Sequence, residues 1–343
     1  MSTGERLLFV IGAPRSGTTL LMRMLNVHPD VATRPEPHLL TPLAHLGYFA
    51  RVDKAPYDPF QSAEAAKAFV ADLPGGEADY VDACRAYADI LYDRMLSKTP
   101  EKRVFLDKTP AYALSLPFLA RLYPDAAYVV LTRHPFAVFS SYAKSFFDDD
   151  WAAAHAFNPV VERYVPAIAR FLESRPCPRT YHVRYEALVA DPAQEMRAIC
   201  EVAGLTYTDD LVEYGKKGVE GEGLGDPIGV HAHDRPVRTS VEKWAKEVVD
   251  HPDRIALLET MLAGLDDDAL ATWGYDRAAV WDPLRTASPS TADGAKKRAL
   301  RWDRHHAERR ALLWARKALP GTPAEGALER ARLMIDVLLR DKF

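Results

Sequence analysis

The chain has 343 residues, of which 48% are hydrophobic and 27% are charged, and its formal net charge is −4 at pH 7. This composition is typical of a globular protein with a large core, and the slightly acidic balance excludes general nucleic-acid binding as a first expectation. Three widely spaced cysteines, Cys84, Cys177 and Cys200, indicate neither a metal site nor a disulfide framework. We find no apolar run long enough to span a membrane and no signal peptide, so the sequence predicts a cytoplasmic protein.

Strands and helices alternate along the first 200 residues. The unbroken apolar run LLFVIG at residues 7–12 predicts a buried strand of a parallel sheet, and a helix follows from Thr18 to Asn26. Residues 37–103 form a mainly helical insertion, which we expect to lie on the acceptor side. Later strands are predicted at 104–106, 127–133 and 180–185, with helices from about 115, at 135–147 and around 192–203. This pattern predicts an α/β fold: a P-loop-type, three-layer core with a central parallel sheet flanked by helices.

The pattern changes after Gly204. Residues 215–239 contain six glycines and two prolines without periodicity, so we expect a lid loop over 215–243. A break at 286–294 is typical of a linker, and it divides a domain at 1–285 from a helical C-terminal extension at 286–343. Residues 296–317 carry nine Lys or Arg against two acidic residues. Such a run is either a solvated helix face or a dock for an acidic partner.

The segment GAPRSGTTLL, which begins at Gly12, has the glycine spacing of a phosphate-binding loop but lacks its lysine. The position after the second glycine, Gly17, is Thr18 instead. The loop keeps the hydroxyls of Ser16, Thr18 and Thr19 and the N–H groups of a helix N-terminus, which bind phosphate. It has lost the group that serves a transferring γ-phosphoryl. Arg15 is suited to clamp a single phosphate without a metal ion.

At this point the chain resembles the sulfotransferases that use 3′-phosphoadenylyl sulfate (PAPS). The motif pattern is most similar to the tyrosylprotein or Golgi-type branch and its bacterial relatives. The loop looks like the 5′-phosphosulfate loop of that family, and YVVLTRHPFAVFSSY looks like its 3′-phosphate segment, which assigns Arg133 and Ser141 to the 3′-phosphate. VRYEAL at 183–188 is similar to a structural motif of the family. The resemblance covers about residues 7–192.

Two further residues match catalytic positions of that family. Glu36 follows the loop helix at the spacing of the catalytic glutamate in tyrosylprotein-like sulfotransferases, and Lys108 in FLDKTP follows a strand where the family places a lysine beside the sulfuryl group. The resemblance therefore implies that Glu36 is the general base, while Lys108 and Arg15 stabilise the transferring group. Lys98 lies in a second Lys-Thr-Pro, and we expect it to be exposed. His38 is a candidate contact for the substrate.

The resemblance implies PAPS as the sulfuryl donor, 3′,5′-adenosine diphosphate as the product, and no metal ion. From the lid loop, Arg238, Ser240 and Lys243 are candidate nucleotide contacts. The acceptor would be a small molecule, a lipid, a carrier-bound chain or a peptide with a hydroxyl or amine. Two other classes stay open: a P-loop kinase of small molecules and a nucleotide-binding protein without catalysis, because the fold alone decides no chemistry.

Overall fold

A computed structural model describes residues 3–46, 48–49, 59–216 and 234–288. The basic run at 296–317, most of the extension at 286–343 and the central part of the lid loop lie outside the described residues, so those predictions stay untested. Within the described ranges, no helix is both long enough and apolar enough to cross a membrane.

The centre of the fold is a parallel sheet of five strands in the order β2-β3-β1-β4-β5. Its strands carry many β-branched and aromatic residues, and β1, β3 and β4 are buried along their whole length, as expected when helices cover both faces of a parallel sheet. The strands are β1 (Leu7–Gly12), β2 (Val31–Pro35), β3 (Val104–Lys108), β4 (Ala127–Thr132) and β5 (Thr180–Arg184).

Fourteen α-helices are present in the described residues. Several begin with proline in their first turn, where its missing N–H has no partner to lose. They are α1 (Thr18–Asn26), α2 (Leu40–Ala44), α3 (Pro59–Ala71), α4 (Glu77–Leu96), α5 (Leu116–Leu122), α6 (Pro135–Phe146), α7 (Trp151–Phe157), α8 (Val160–Ser174), α9 (Tyr185–Ala190), α10 (Pro192–Ala203), α11 (Lys243–Val248), α12 (Pro252–Ala263), α13 (Asp267–Trp273) and α14 (Asp282–Thr286).

The two faces of the sheet differ in chemistry because side chains alternate along each strand. One face is aliphatic: Leu8 and Val10 of β1 pack with helices α1 and α10. The other face is aromatic, with Phe9 within 6.3 Å of the rings of Tyr112, Tyr123 and Tyr128. Helices α4 and α8 pack on this aromatic face through Tyr92 and Phe171. Helices therefore cover both faces, and the predicted three-layer core is confirmed.

The chain divides into two compact units. The first comprises residues 1–44 and 72–289 and contains the whole sheet, and the second comprises residues 45–71 and 290–343, with α3 in its described part. Within the predicted insertion at 37–103, the described residues form helices α2, α3 and α4, separated by turns and irregular segments. The buried residues Cys84, Cys177 and Cys200 are free thiols.

The sequence missed one strand and several helices. No strand was predicted at 31–35, yet Val31–Pro35 forms β2 at the edge of the sheet beside β3. Helices α7 and α8 were not predicted between 148 and 179 either. The ends of two strands differ from the prediction by one or two residues. Strand β3 extends to Lys108 rather than ending at 106, so this lysine is the last residue of the strand, and β4 ends at Thr132, so Arg133 follows it.

Candidate active site

Residues at the carboxyl ends of all five strands form the candidate site. Because the strands are parallel, these ends meet at one edge of the sheet, which is where open α/β sheets bind ligands. The phosphate-loop segment follows β1, and the strands β2, β3, β4 and β5 lead respectively to Glu36, Lys108, Arg133 and Tyr185. Residues far apart in sequence are brought together by this single topological feature.

The loop between β1 and α1 needs both of its glycines. Gly17 has φ 107°, and a Cβ there would lie 2.6 Å from the ring of Tyr185. A Cβ on Gly12 would lie 2.6 Å from the Ser16 hydroxyl and 2.7 Å from the Leu131 carbonyl oxygen. The N–H groups of the first turn of α1, which begins at Thr18, lack intrahelical partners and carry the positive end of the helix dipole. The loop is therefore built to approach an anion closely.

Arg133 is a buried cation that follows β4 at this edge. Its guanidinium donates to the Arg15 carbonyl oxygen at 3.2 Å and to the Ser240 carbonyl oxygen at 2.7 Å, and it lies 4.3 Å from the centre of the Tyr185 ring. Burial lowers its pKa from the usual value. Within the described residues its Nε has no hydrogen-bond partner, and neither does the buried hydroxyl of Ser16. A buried cation with an unused donor favours binding of an anion.

The phosphate loop and helix α6 are joined by the side chains predicted to hold the two phosphates. Arg15 has a left-handed backbone with φ 71°, and its Nε donates to the Ser141 hydroxyl at 3.2 Å. Ser240, from the predicted lid loop, lies within the same cluster because its hydroxyl is 2.6 Å from that of Tyr185. The structure thus brings together the residues that the sequence assigned to the 5′- and 3′-phosphates.

Glu36 and Lys108 form an ion pair at the ends of the adjacent strands β2 and β3. The Lys108 side chain is fully buried and that of Glu36 is 18% exposed, so Glu36 is the solvent-accessible member of the pair. Glu36 and His38 have left-handed backbones with φ 38° and 51°, a conformation that costs roughly 1–2 kcal/mol per non-glycine residue. Strain of this kind is frequent at functional sites.

Beneath this pair lies a buried carboxylate that the sequence analysis did not single out. Asp107 accepts hydrogen bonds from the hydroxyls of Tyr92 at 2.7 Å, Thr109 at 3.0 Å and Tyr112 at 3.1 Å. Burial raises the pKa of Asp107 to about 6, although these hydroxyls and the charge of Lys108 oppose the change. Burial also raises the pKa of Tyr92 and Tyr112, which keeps both phenols protonated as donors.

This raised pKa predicts a pH-dependent stability. Between the unfolded pKa of 3.8 and the folded value of about 6, the native protein retains a proton that the unfolded chain releases. The contribution of Asp107 to stability is therefore greatest below the lower value and is lost as the pH rises through the higher one. Relative to Asp107→Asn, the wild-type free energy of unfolding should fall by about 2–3 kcal/mol between about pH 4 and about pH 7. Urea unfolding of both proteins across this range measures the difference, and parallel curves would contradict it.

The other residues predicted to contact nucleotide or substrate are Arg238, Lys243 and His38, and each has a partner elsewhere in the chain. The Arg238 guanidinium donates to the Ala190 carbonyl oxygen at 2.7 Å, and the Lys243 side chain is 61% exposed with its ammonium 3.8 Å from Glu247. The His38 ring lies 3.3 Å from the Thr41 hydroxyl, with its backbone N–H directed at Thr109. Roles of these three side chains in nucleotide or substrate binding stay predictions. Lys98 is exposed, as predicted.

Sequence reasoning missed the side chains that support Arg133. The Trp273 indole donates to the Arg133 carbonyl oxygen at 2.8 Å, and the Tyr185 ring lies under the guanidinium. Tyr185 is part of the VRYEAL motif, which is similar to a structural motif of the family but does not indicate a contact with Arg133. Trp273 lies 140 residues away in α13, and no local pattern connects it to the site.

Sequence comparison identifies the family of the chain. The model of the sulfotransferase family matches residues 8–209, which include all of the sheet but the first residue of β1 and every described candidate except those of the lid loop. The nodulation protein NoeE of Sinorhizobium fredii is 31% identical over 302 residues, covering 79% of this chain and 66% of NoeE. A putative protein-tyrosine sulfotransferase of Caenorhabditis briggsae is 24% identical, covering 62% of this chain and 71% of its own length. Among solved structures, the sulfotransferase domain of the Synechococcus PCC 7002 olefin synthase has a TM-score of 0.48 at 25% identity, with 76% and 94% of the two chains covered.

The chain belongs to the sulfotransferase family. It spans slightly less than two thirds of the length of NoeE. The predicted similarity to the tyrosylprotein branch is not decided by these matches.

Proposed function

We propose that the protein is a PAPS-dependent sulfotransferase that transfers a sulfuryl group to a hydroxyl or amine of an acceptor. The observation that carries the proposal is the joint position of two clusters at one sheet edge. One is the phosphate loop with Arg15, Arg133 and Ser141, and the other is the pair of Glu36 and Lys108. The first cluster suits the two phosphate groups of the donor, and the second suits the chemistry of transfer. Membership of the family supports the same conclusion.

The proposed transfer needs three roles from the chain. Glu36 accepts the proton of the acceptor as its oxygen or nitrogen forms a bond to sulfur, and the bond from sulfur to the 5′-phosphate oxygen breaks. Lys108 and Arg15 stabilise the negative charge on the sulfuryl oxygens and on the departing phosphate. The N–H groups of Gly17, Thr18 and Thr19 hold that phosphate at the N-terminus of α1.

The residues present fit the bisphosphate nucleotide of the donor. The unpartnered Nε of Arg133 and the Ser16 hydroxyl supply buried donors, and neither has another use in the described residues. Arg133 forms no direct ion pair with a carboxylate in the described part of the chain, although the nearby charge of Glu186 favours its cation, so a 3′-phosphate would supply a direct counter-charge. Specificity for this donor over nucleotides without a 3′-phosphate follows from Arg133 and Ser141.

The hydrogen bonds made by Asp107 argue against a P-loop kinase. This residue is near the end of the strand beside β1, where a kinase would place a magnesium-binding aspartate. Here both carboxylate oxygens accept hydrogen bonds from buried hydroxyls, and the side chain lies on the aromatic face with Phe9. The loop also lacks the lysine that would contact a γ-phosphate.

The acceptor is defined only by class. A carboxylate base suits a hydroxyl or amine. Some of the relatives are named protein-tyrosine sulfotransferases, after an acceptor whose side chain carries a hydroxyl. The helical insertion at 37–103, which follows Glu36 directly, is the proposed acceptor side. A cytoplasmic location remains a prediction.

Calorimetric titration with 3′,5′-adenosine diphosphate, and separately with magnesium-ATP, tests the donor assignment. We expect micromolar binding of the bisphosphate and feeble binding of ATP. Arg133→Ala should weaken bisphosphate binding at least tenfold, because removal of a charge-assisted contact costs about 1.5–3 kcal/mol. Lys98→Ala, at an exposed site, should leave it unchanged. Tighter binding of magnesium-ATP would overturn the proposal in favour of a kinase.

A further inference from the structure

Asp107 is linked to the segment that carries Glu36, because two of the three hydroxyls that donate to it also accept hydrogen bonds from that segment. A hydroxyl has one proton to donate and keeps lone pairs that can accept. Thr109 donates to Asp107 and accepts from the backbone N–H of His38 at 3.4 Å. Tyr112 donates to Asp107 and accepts from the backbone N–H of Leu40 at 3.0 Å. Two chains of hydrogen bonds therefore connect the Asp107 carboxylate to the backbone of residues 38 and 40.

Residues 36–39 need such support. They lie between the end of β2 and the start of α2, with left-handed backbones at Glu36 and His38 on either side of Pro37. Neither a strand ladder nor a helix supplies hydrogen bonds within this stretch. The two chains of hydrogen bonds connect residues 38 and 40 to Asp107 of β3, and the ion pair with Lys108 connects Glu36 itself to the same strand.

We propose that Asp107 is a positioning residue for the proposed general base, acting through Thr109 and Tyr112 on the segment 36–40. The inference rests on the proposed function in its assignment of Glu36 as the base. Successive residues of a strand point to opposite faces, so Asp107 fixes the segment from the aromatic face while its neighbour Lys108 contacts the carboxylate of Glu36. The dipeptide Asp107-Lys108 thus orients Glu36 from two directions.

Tyr92 provides a matched control within the same cluster. Its hydroxyl donates to Asp107 at 2.7 Å from helix α4, and among the described residues that hydroxyl has no hydrogen bond to the segment 36–40. Tyr92 and Tyr112 are both buried phenols on one carboxylate. Loss of either hydroxyl removes one donor from Asp107, but only loss of the Tyr112 hydroxyl also releases the Leu40 amide.

The experiment compares Tyr112→Phe and Thr109→Val with Tyr92→Phe and Thr109→Ser. The first readout is hydrogen exchange at the amides of His38 and Leu40. The second is the slow transfer of the sulfuryl group from radiolabelled PAPS to water, in which a water oxygen bonds to sulfur, Glu36 takes its proton and the bisphosphate leaves. The third is the affinity for 3′,5′-adenosine diphosphate, which reports on the donor site alone.

We expect Tyr112→Phe and Thr109→Val to raise exchange at these amides and to lower sulfate release at least tenfold, with bisphosphate affinity within about twofold of wild type. Tyr92→Phe and Thr109→Ser should resemble the wild type in all three readouts. Equal effects of Tyr92→Phe and Tyr112→Phe on exchange and rate would reduce the cluster to a structural role and overturn the inference. If the wild type neither binds the bisphosphate nor releases sulfate, the proposed function fails, whereas the exchange data still decide whether the Asp107 cluster holds residues 36–40 through the hydroxyls of Thr109 and Tyr112.

Discussion

Glu36→Gln should lower the rate of sulfuryl transfer by about 10²–10⁴, the usual contribution of a general base, while affinity for 3′,5′-adenosine diphosphate stays within about twofold of wild type. Glutamine has the same shape, and its amide oxygen can still accept from the Lys108 ammonium, so the positions of both side chains are kept. What is lost is the ability to take a proton from the acceptor. The effect therefore belongs to the chemical step, and single-turnover transfer from PAPS to acceptor or water measures it directly.

Glu101→Gln is the control, since Glu101 is an exposed carboxylate in the turn before β3. It should leave both rate and affinity unchanged. If Glu36→Gln retains more than about a tenth of the wild-type rate, Glu36 is not the base. A large loss of bisphosphate affinity in that variant would instead show that Glu36 supports the donor site.

The phosphate loop and most of the sheet were accessible from the sequence because their signals are local. An unbroken apolar run such as LLFVIG requires burial on two sides, and glycine at 12 and 17 is required by close contacts that the structure confirms. By contrast, β2 has only five residues, VATRP, at the sheet edge. A stretch this short, which ends in proline, has too little periodicity to separate a strand from a loop.

The supporting residues of the site were not accessible because their partners are distant in the chain. Thr109 and Tyr112 are 71 and 72 residues from the amides that they hold. The sequence identified Lys108 and passed over Asp107, because neighbouring residues on a strand differ only in the face to which they point. The register of β3 against β2 and β1 decides whether Asp107 or Lys108 points toward the site. That register is a property of the assembled sheet.

Lys108→Met should lower the rate of sulfuryl transfer by about 10²–10³, the range found when one donor to a developing negative charge is removed. Methionine has nearly the same volume and suits a fully buried site, so the substitution removes charge with little change in packing. Bisphosphate affinity should fall much less than the rate, because the Lys108 charge acts mainly on the group in transfer. The matched control is Lys98→Met, which changes the exposed lysine of the other Lys-Thr-Pro sequence and should have no effect.

The same variant separates catalysis from stability. Removing the buried partner of an ion pair leaves an uncompensated charge, which costs about 3–5 kcal/mol for a fully buried pair. Glu36 is partly exposed and can regain water, so the loss of stability should lie below that range. The double variant Glu36→Gln with Lys108→Met should recover most of the stability, because neither side chain is then charged, but none of the rate. If the double variant recovers the rate as well, neither Lys108 nor Glu36 has a part in the transfer.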